Sequence, residues 1–324
     1  MTHTKTSLVV VNSWSNLIEE LFLDSYRETL KRYRSPYVFR GQTKEYPLVP
    51  GIQRLNHPSA LTRQIERRIF DSFRKYSHLE VPPNFNEWQW LALAQHYRLP
   101  TRLLDWTFSP FVALHFATSN LNQMDDHGVV WCVDLYKTHQ YLPPKLAELL
   151  TEGAGVFTTD QLNRKFPDFG SFDTKEDGQD FVLFFEPPSL DRRIINQVAL
   201  FSFMSRPDTG LNSWLERKSV DSKGIFKKIV IPASLKWEIR DKLDQANVNE
   251  RVLFPGLDGL SDWLRRWYSP KTPPRTAAPS KSASRNSRSR EPRKTAAASP
   301  PPAIVDSVKT KPSTRRVGAK RRKR

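Results

Sequence analysis

The chain has 324 residues, enough for one large or two small domains, and carries 51 Lys and Arg against 34 Asp and Glu, a formal net charge of +17. The excess is local: from Ser269 onward there are 17 basic side chains against Glu291 and Asp306 alone, which leaves a nearly neutral body of 34 basic and 32 acidic residues. A single cysteine, Cys132, excludes an internal disulfide and a four-thiol metal site, and no apolar run is long enough for a membrane span or a secretory signal, so a soluble cytoplasmic protein with no membrane partner is expected.

The segment LIEELFLDSYRETLKRY, from Leu17 to Tyr33, predicts a helix. Leu17, Leu21, Ser25 and Tyr26 fall near helical spacing, Ser15 or Asn16 can cap it, and Glu19 suits its first turn. Pro36 closes it, and Tyr37-Val38-Phe39-Arg40 reads as a short strand stopped by Gly41. Leu61–Tyr76 predicts a second helix, with Ile65, Ile69, Phe73 and Tyr76 on one side. A third runs from about Phe85 to Tyr97 and stops at Pro100. Ser109-Pro110 is a strong helix start, serine as cap and proline at the first position. Between these two helices, Arg102 to Asp105 reads as a basic–acidic turn.

Val129–Leu135 predicts a buried strand, with Cys132 as a buried, inert thiol. Gly153–Gly178 reads as irregular and as the place for a mobile loop. Phe181–Phe185, Gln197–Phe203 and Phe226–Ile231 predict further strands, and Ser234–Leu243 and Leu260–Trp267 closing helices. Helices dominate the first half and strands the second, which gives an α+β class. The expected plan is an N-terminal helical region over 1–34, one domain over 35–268 and a tail over 269–324. That tail holds nine prolines and almost no large apolar residue, so it cannot offset the entropy of ordering and is expected to be disordered. As a polycation without aromatics after Tyr268 it suits nucleic acid through phosphate neutralisation alone; the plainer reading is a solubilising extension.

Two motifs stand out. One is Phe39-Arg40-Gly41-Gln42, followed by Leu48-Val49-Pro50 and Arg54. The other runs Leu93-Ala94-Gln95-His96-Tyr97, then Leu99-Pro100-Thr101-Arg102-Leu103-Leu104-Asp105-Trp106-Thr107, then Ser109-Pro110. Together with Arg193-Ile194, Gln197, Leu200-Phe201 and the stretch Leu253–Leu260, they resemble the FRG domain family over roughly residues 35–265. The motif order also resembles the ADP-ribosyltransferase superfamily. That resemblance implies a single domain with a small, partly split mixed or antiparallel β-sheet flanked by helices, and NAD as substrate, for ADP-ribosyl transfer or NAD cleavage onto a protein or nucleic-acid acceptor. No metal-ligand spacing stands out in the sequence, so no metal is expected.

On this reading Arg40, His96 and Gln197 are the candidate catalytic residues. Arg40, Gly41, His96, Tyr97, Arg102 and Asp105 are the candidates for holding the ligand. Arginine offers a fixed fork of donors for phosphate or ribose, and glycine admits a close backbone approach. His96 can bond a ribose hydroxyl and Tyr97 can stack on a flat ring. Each has a structural alternative: Arg40 paired with Asp105, His96 capping a helix end, Tyr97 in the core, Arg102 paired with Asp105. Gln197 departs from the transferase pattern, where glutamate is expected, and glutamine is no general base. Arg98 departs too, where the resemblance implies glycine, suited to a left-handed helix end. A non-enzymatic nucleotide- or nucleic-acid-binding module is the competing class.

Overall fold

A single residue pair, Phe39 opposite Thr107, joins the two halves of an eight-stranded sheet. The computed structural model describes residues 8–81, 84–150, 155–173 and 180–271, and these fall in one unit of the fold. The tail expected over 269–324 lies outside them beyond residue 271.

The chain opens with β1 (Leu8–Val10) and α1 (Trp14–Phe22), then a two-stranded hairpin of β2 (Tyr26–Arg27) and β3 (Arg32–Tyr33), then β4 (Tyr37–Gln42). Two long helices, α2 (Ser59–Tyr76) and α3 (Glu87–His96), lead to β5 (Leu103–Thr107), α4 (Pro110–Thr118) and β6 (Gly128–Asp134). Short helices α5 (Leu135–His139) and α6 (Pro144–Ala147) precede β7 (Phe157–Thr158), α7 (Thr159–Lys165), β8 (Val182–Glu186), α8 (Arg192–Asn196) and β9 (Ala199–Met204). The described chain closes with α9 (Leu211–Ser219), β10 (Phe226–Ile231), α10 (Lys236–Gln245), α11 (Glu250–Leu253) and α12 (Leu257–Trp267).

One half-sheet runs β1-β10-β6-β4 and the other β5-β9-β8-β7. Pairing is antiparallel except for β1 with β10 and β7 with β8. Side chains alternate across both halves, as a pleated strand requires. Val38, Val129, Trp131, Leu104, Trp106 and Phe184 share one face with Trp214 and Leu215 of α9. The opposite face carries two separate cores. Phe39, Val130, Cys132 and Ile229 meet α1, α4 and α10, while Leu103, Leu183, Phe201 and Phe203 meet α2, α3 and α7. The α+β class and the split, mixed sheet flanked by helices are as expected.

Several local expectations change. The N-terminal region is neither wholly helical nor separate, because β1 belongs to the main sheet. Its helix starts after Ser13, whose hydroxyl caps it, and ends at Phe22. Asp24 turns left-handed (φ 63°), and its carboxylate accepts the Tyr37 hydroxyl at 3.2 Å. Tyr26, expected on the helix stripe, lies instead on strand β2 and is exposed. Helix α2 buries Thr62, Glu66 and Phe70, one position off the predicted stripe, because Glu66 must reach Arg102. The expected turn at Arg102–Asp105 is largely strand β5. Its five residues are too few for a clear period, yet Leu103, Leu104, Trp106 and Thr107 are all buried. The supposedly irregular Gly153–Gly178 holds β7, α7 and a short 3-10 turn at Phe169–Phe172; residues 151–154 and 174–179 lie outside the described set. Cys132 is buried, and burial raises its thiol to about 12.

Candidate functional site

A cavity of about 500 Å³ opens between the two half-sheets. Its walls come from the ends of β4 (Phe39, Arg40, Gly41), the loop around Gly51 and Arg54, the end of α3, β5 (Asp105–Thr107) and the α8–β9 junction. The residues that build α3 explain its position. Asn86 and Gln89 form a reciprocal capping box, and Trp88 and Trp90 to Ala94 are buried. The Trp88 indole donates to the Phe166 carbonyl at 2.7 Å. A helix held this firmly delivers His96 and Arg98 to the cavity rim.

Four arginines line the cavity, Arg40, Arg54, Arg98 and Arg193, against one carboxylate, Asp105. Each arginine comes from a different segment. Arg40 donates to the Asp105 backbone carbonyl at 2.6 Å, and its guanidinium lies 3.7 Å from the Asp105 carboxylate. The Arg40 Nε is buried with no partner. Burial holds the Arg40 guanidinium below its usual range; Asp105 works against this and the Arg54 charge adds to it. Burial lowers Arg193 likewise, opposed by Asp105 and reinforced by Arg98. The wall is therefore cationic beyond what its own carboxylate neutralises, and an anion entering it would relieve repulsion.

Asp105 is itself positioned. The Gln95 amide donates to both of its oxygens, at 3.2 and 3.1 Å, and the Thr101 hydroxyl donates to the Gln95 carbonyl at 2.6 Å. His96 Nε2 lies 2.8 Å from the Asp191 carboxylate, which also caps α8 by accepting from the Ile194 N–H. One contact thus couples the end of α3 to the helix that carries Arg193.

Of the residues singled out in the sequence, Arg40, Gly41, His96, Asp105 and Gln197 share the cavity wall. Two lie elsewhere. Tyr97 is 68% exposed and packs edge-on against His96, so neither the stacking platform nor the core position applies. Arg102 is buried and does not pair with Asp105. Glu66 accepts from its N–H and Nε, and Asp173 from both terminal nitrogens. Burial would lower Arg102, but the Glu66 charge and the Asp173 bonds outweigh it, so its pKa is raised. With its donors committed, it is a tie between α2, β5 and the segment after α7.

Gln197 sits at the C-terminal cap of α8 rather than on a strand. Its amide donates to the Leu253 carbonyl at 3.0 Å, and its own carbonyl accepts the Thr107 hydroxyl at 2.7 Å. The close approach at Gly41 is to α4: a Cβ there would sit 1.8 Å from the Ala113 carbonyl oxygen. Arg98 adopts the left-handed conformation (φ 64°) that its place at the helix end suggested, and Val198 does so too (φ 47°). Strain at two rim positions, one of them β-branched, is the kind that persists where surrounding contacts over-determine the backbone. Reading from the sequence did not assign Arg54, Arg193 or Gln95 to the site. Arg54 and Arg193 stood in the motifs, but nothing local marks an arginine that converges only through tertiary structure. Among the described residues no cluster of His, Cys, Asp and Glu could hold a metal.

Residues 35–126 match the family model of the FRG domain, the family to which the Phe39-Arg40-Gly41 and Gln95-His96-Tyr97 motifs pointed. No curated protein and no solved structure matches the chain.

Proposed function

We propose that the FRG domain at residues 35–126, completed by α8 and β9, binds a pyrophosphate-bearing nucleotide, NAD in the first instance, and cleaves or transfers its ADP-ribosyl group. The observation that carries this reading is the convergence of Arg40, Arg54, Arg98 and Arg193 with Asp105 in one cavity. Arginine forks match phosphate oxygens in pairs, and the unpartnered Arg40 Nε supplies a donor already desolvated. Phe39, Phe116 and Phe201 give the same cavity flat apolar walls for a base or nicotinamide ring. Because His96 Nε2 is engaged by Asp191, a ribose contact falls to Nδ1.

In the reaction the bond from ribose C1′ to nicotinamide breaks and its electron pair leaves with the nicotinamide. Water or an acceptor nucleophile forms the new bond at C1′ and gives up a proton. On this reading Asp105, the one carboxylate on the wall, receives it and faces the developing positive charge. Gln197 cannot do either, and its amide is committed to Leu253.

That commitment, and the lack of any glutamate among the lining residues, supports a second reading: a nucleotide-binding module without turnover. Incubation with labelled NAD separates the two. Nicotinamide release that is lost in Arg40→Ala and Asp105→Asn supports the enzyme. Calorimetric binding of NAD without release supports the module. Folded protein that neither binds nor cleaves NAD removes both.

A further inference from the structure

Helix α12 is attached to the protein by its polar side. Its buried residues are Gly259 and Arg266. Gly259 approaches the Phe254 carbonyl so closely that a Cβ would lie 1.9 Å from the oxygen. Arg266 is fixed by Asp244 and Glu250, with bonds of 2.6 to 3.2 Å. At about 100° per residue these two anchors share one side, while Leu257, Leu260, Leu264, Trp267 and Tyr268 spread over an arc of about 100° turned away from it. Leu257 is 80% exposed, Trp267 54% and Tyr268 78%. Trp267 is not loose: it stacks on Trp263 at 5.4 Å, and Trp263 lies under the Arg251 guanidinium at 4.6 Å. A surface helix ordinarily turns its apolar stripe to the core. Here the arrangement is reversed, and a contiguous Leu/Trp/Tyr face points to the outside.

We infer that this face docks on an anionic lipid surface. The chain that follows supplies the charge complementarity. Residues 272–324, beginning five positions beyond Trp267, hold 16 Lys and Arg against two acids. An interfacial helix with Leu and Trp on one face gives reversible binding, and a neighbouring polybasic segment supplies the second attraction that makes it stable. Trp267 and Tyr268, at the helix end nearest those cations, are ring types that settle at headgroup level. The acids of α12, Asp258 and Asp262, fall outside the apolar arc, and Asp262 is paired with Arg265 at 3.2 Å. No helix among the described residues is long and apolar enough to cross a membrane, so the inference concerns docking at the interface. Nucleic acid would engage the cations equally well but has no use for exposed leucines.

The test is co-sedimentation of the full chain with phosphatidylcholine vesicles, with and without phosphatidylglycerol, for wild type and for Leu264→Ser/Trp267→Ser. Leu264 is 39% and Trp267 54% exposed, and the unfolding midpoint of the variant, measured alongside, reads any loss of the Trp263 stack separately from vesicle binding. We expect binding only to the anionic vesicles, weakened at least about tenfold in the double variant although every tail cation remains. Equal sedimentation of variant and wild type overturns the assignment of α12. Failure of both to bind vesicles, with retention of both on duplex DNA, assigns the cations to nucleic acid and overturns the inference entirely.

Discussion

Glu66 accepts both the backbone N–H and the side-chain Nε of Arg102, at 2.8 and 2.7 Å, with each side chain 1% exposed. This buried pair ties α2 to the first residue before β5 and so sets the strand that carries Asp105. Replacing Glu66 with Ala leaves an arginine buried with only Asp173 for charge partner, which costs on the order of 3–5 kcal/mol. Urea unfolding should show the loss. A change below about 1 kcal/mol would mean that Asp173 alone compensates Arg102.

Arg98 joins two effects of opposite sign. Its left-handed backbone is costly for any residue with a Cβ, so Arg98→Gly should raise stability by roughly 0.5–1 kcal/mol. The same change removes one of the four cations of the cavity and should weaken NAD binding by roughly tenfold. Thermal unfolding and calorimetry on the one variant read both. Loss of stability with unchanged affinity would contradict both parts.

Gly41 is demanded by the contact of β4 with α4. Gly41→Ala puts a methyl group into the Ala113 carbonyl, a backbone atom that cannot swing aside. We expect destabilisation of about 3 kcal/mol or more, or failure to accumulate folded protein. A stable, wild-type-like Gly41→Ala protein would show that β4 and α4 can separate at little cost.

Two histidines, His115 buried and His139 half-buried, make folding sensitive to acid. Burial lowers His139 to about 4, and burial with the Arg240 and Arg266 charges lowers His115 well below its usual range. Near neutral pH both are uncharged, folded or unfolded, and cost nothing. As pH falls below about 6.5 the unfolded chain takes up protons that the folded chain refuses, so stability drops, for His139 down to about pH 4. Its share is at most about 3 kcal/mol, for a ring lowered from the ordinary value of 6.5 to about 4. Chemical unfolding across this range should show the slope, reduced in His139→Leu. A flat profile from 6.5 to 4 would mean that neither ring is held neutral.

Much of this protein was written in local pattern. The apolar run ending at Pro100 and the pair Ser109-Pro110 announced α3 and α4, and alternating or continuous apolar runs announced β6, β8 and β10 to within a residue or two. Arg98 declared its left-handed conformation through its place at a helix end. These features depend on neighbours a few positions apart, and capping, periodicity and backbone sterics act at that range.

Local pattern thus marked the elements, the motif that matches the FRG domain model and polar groups dense enough to suggest a site. Tertiary structure alone decided which of them meet. Arg102 looked like a partner for Asp105 three positions away, yet a strand turns alternate residues apart, and Glu66 from a distant helix took it. Arg54 and Arg193 stood in the motifs with no role assigned and became two of the four cations of the cavity. Leu260–Trp267 read simply as a closing helix, and its apolar side chains face outward because Gly259 and Arg266 make the closer fit. Burial and charge pairing are settled between segments far apart in sequence, where no local period records them.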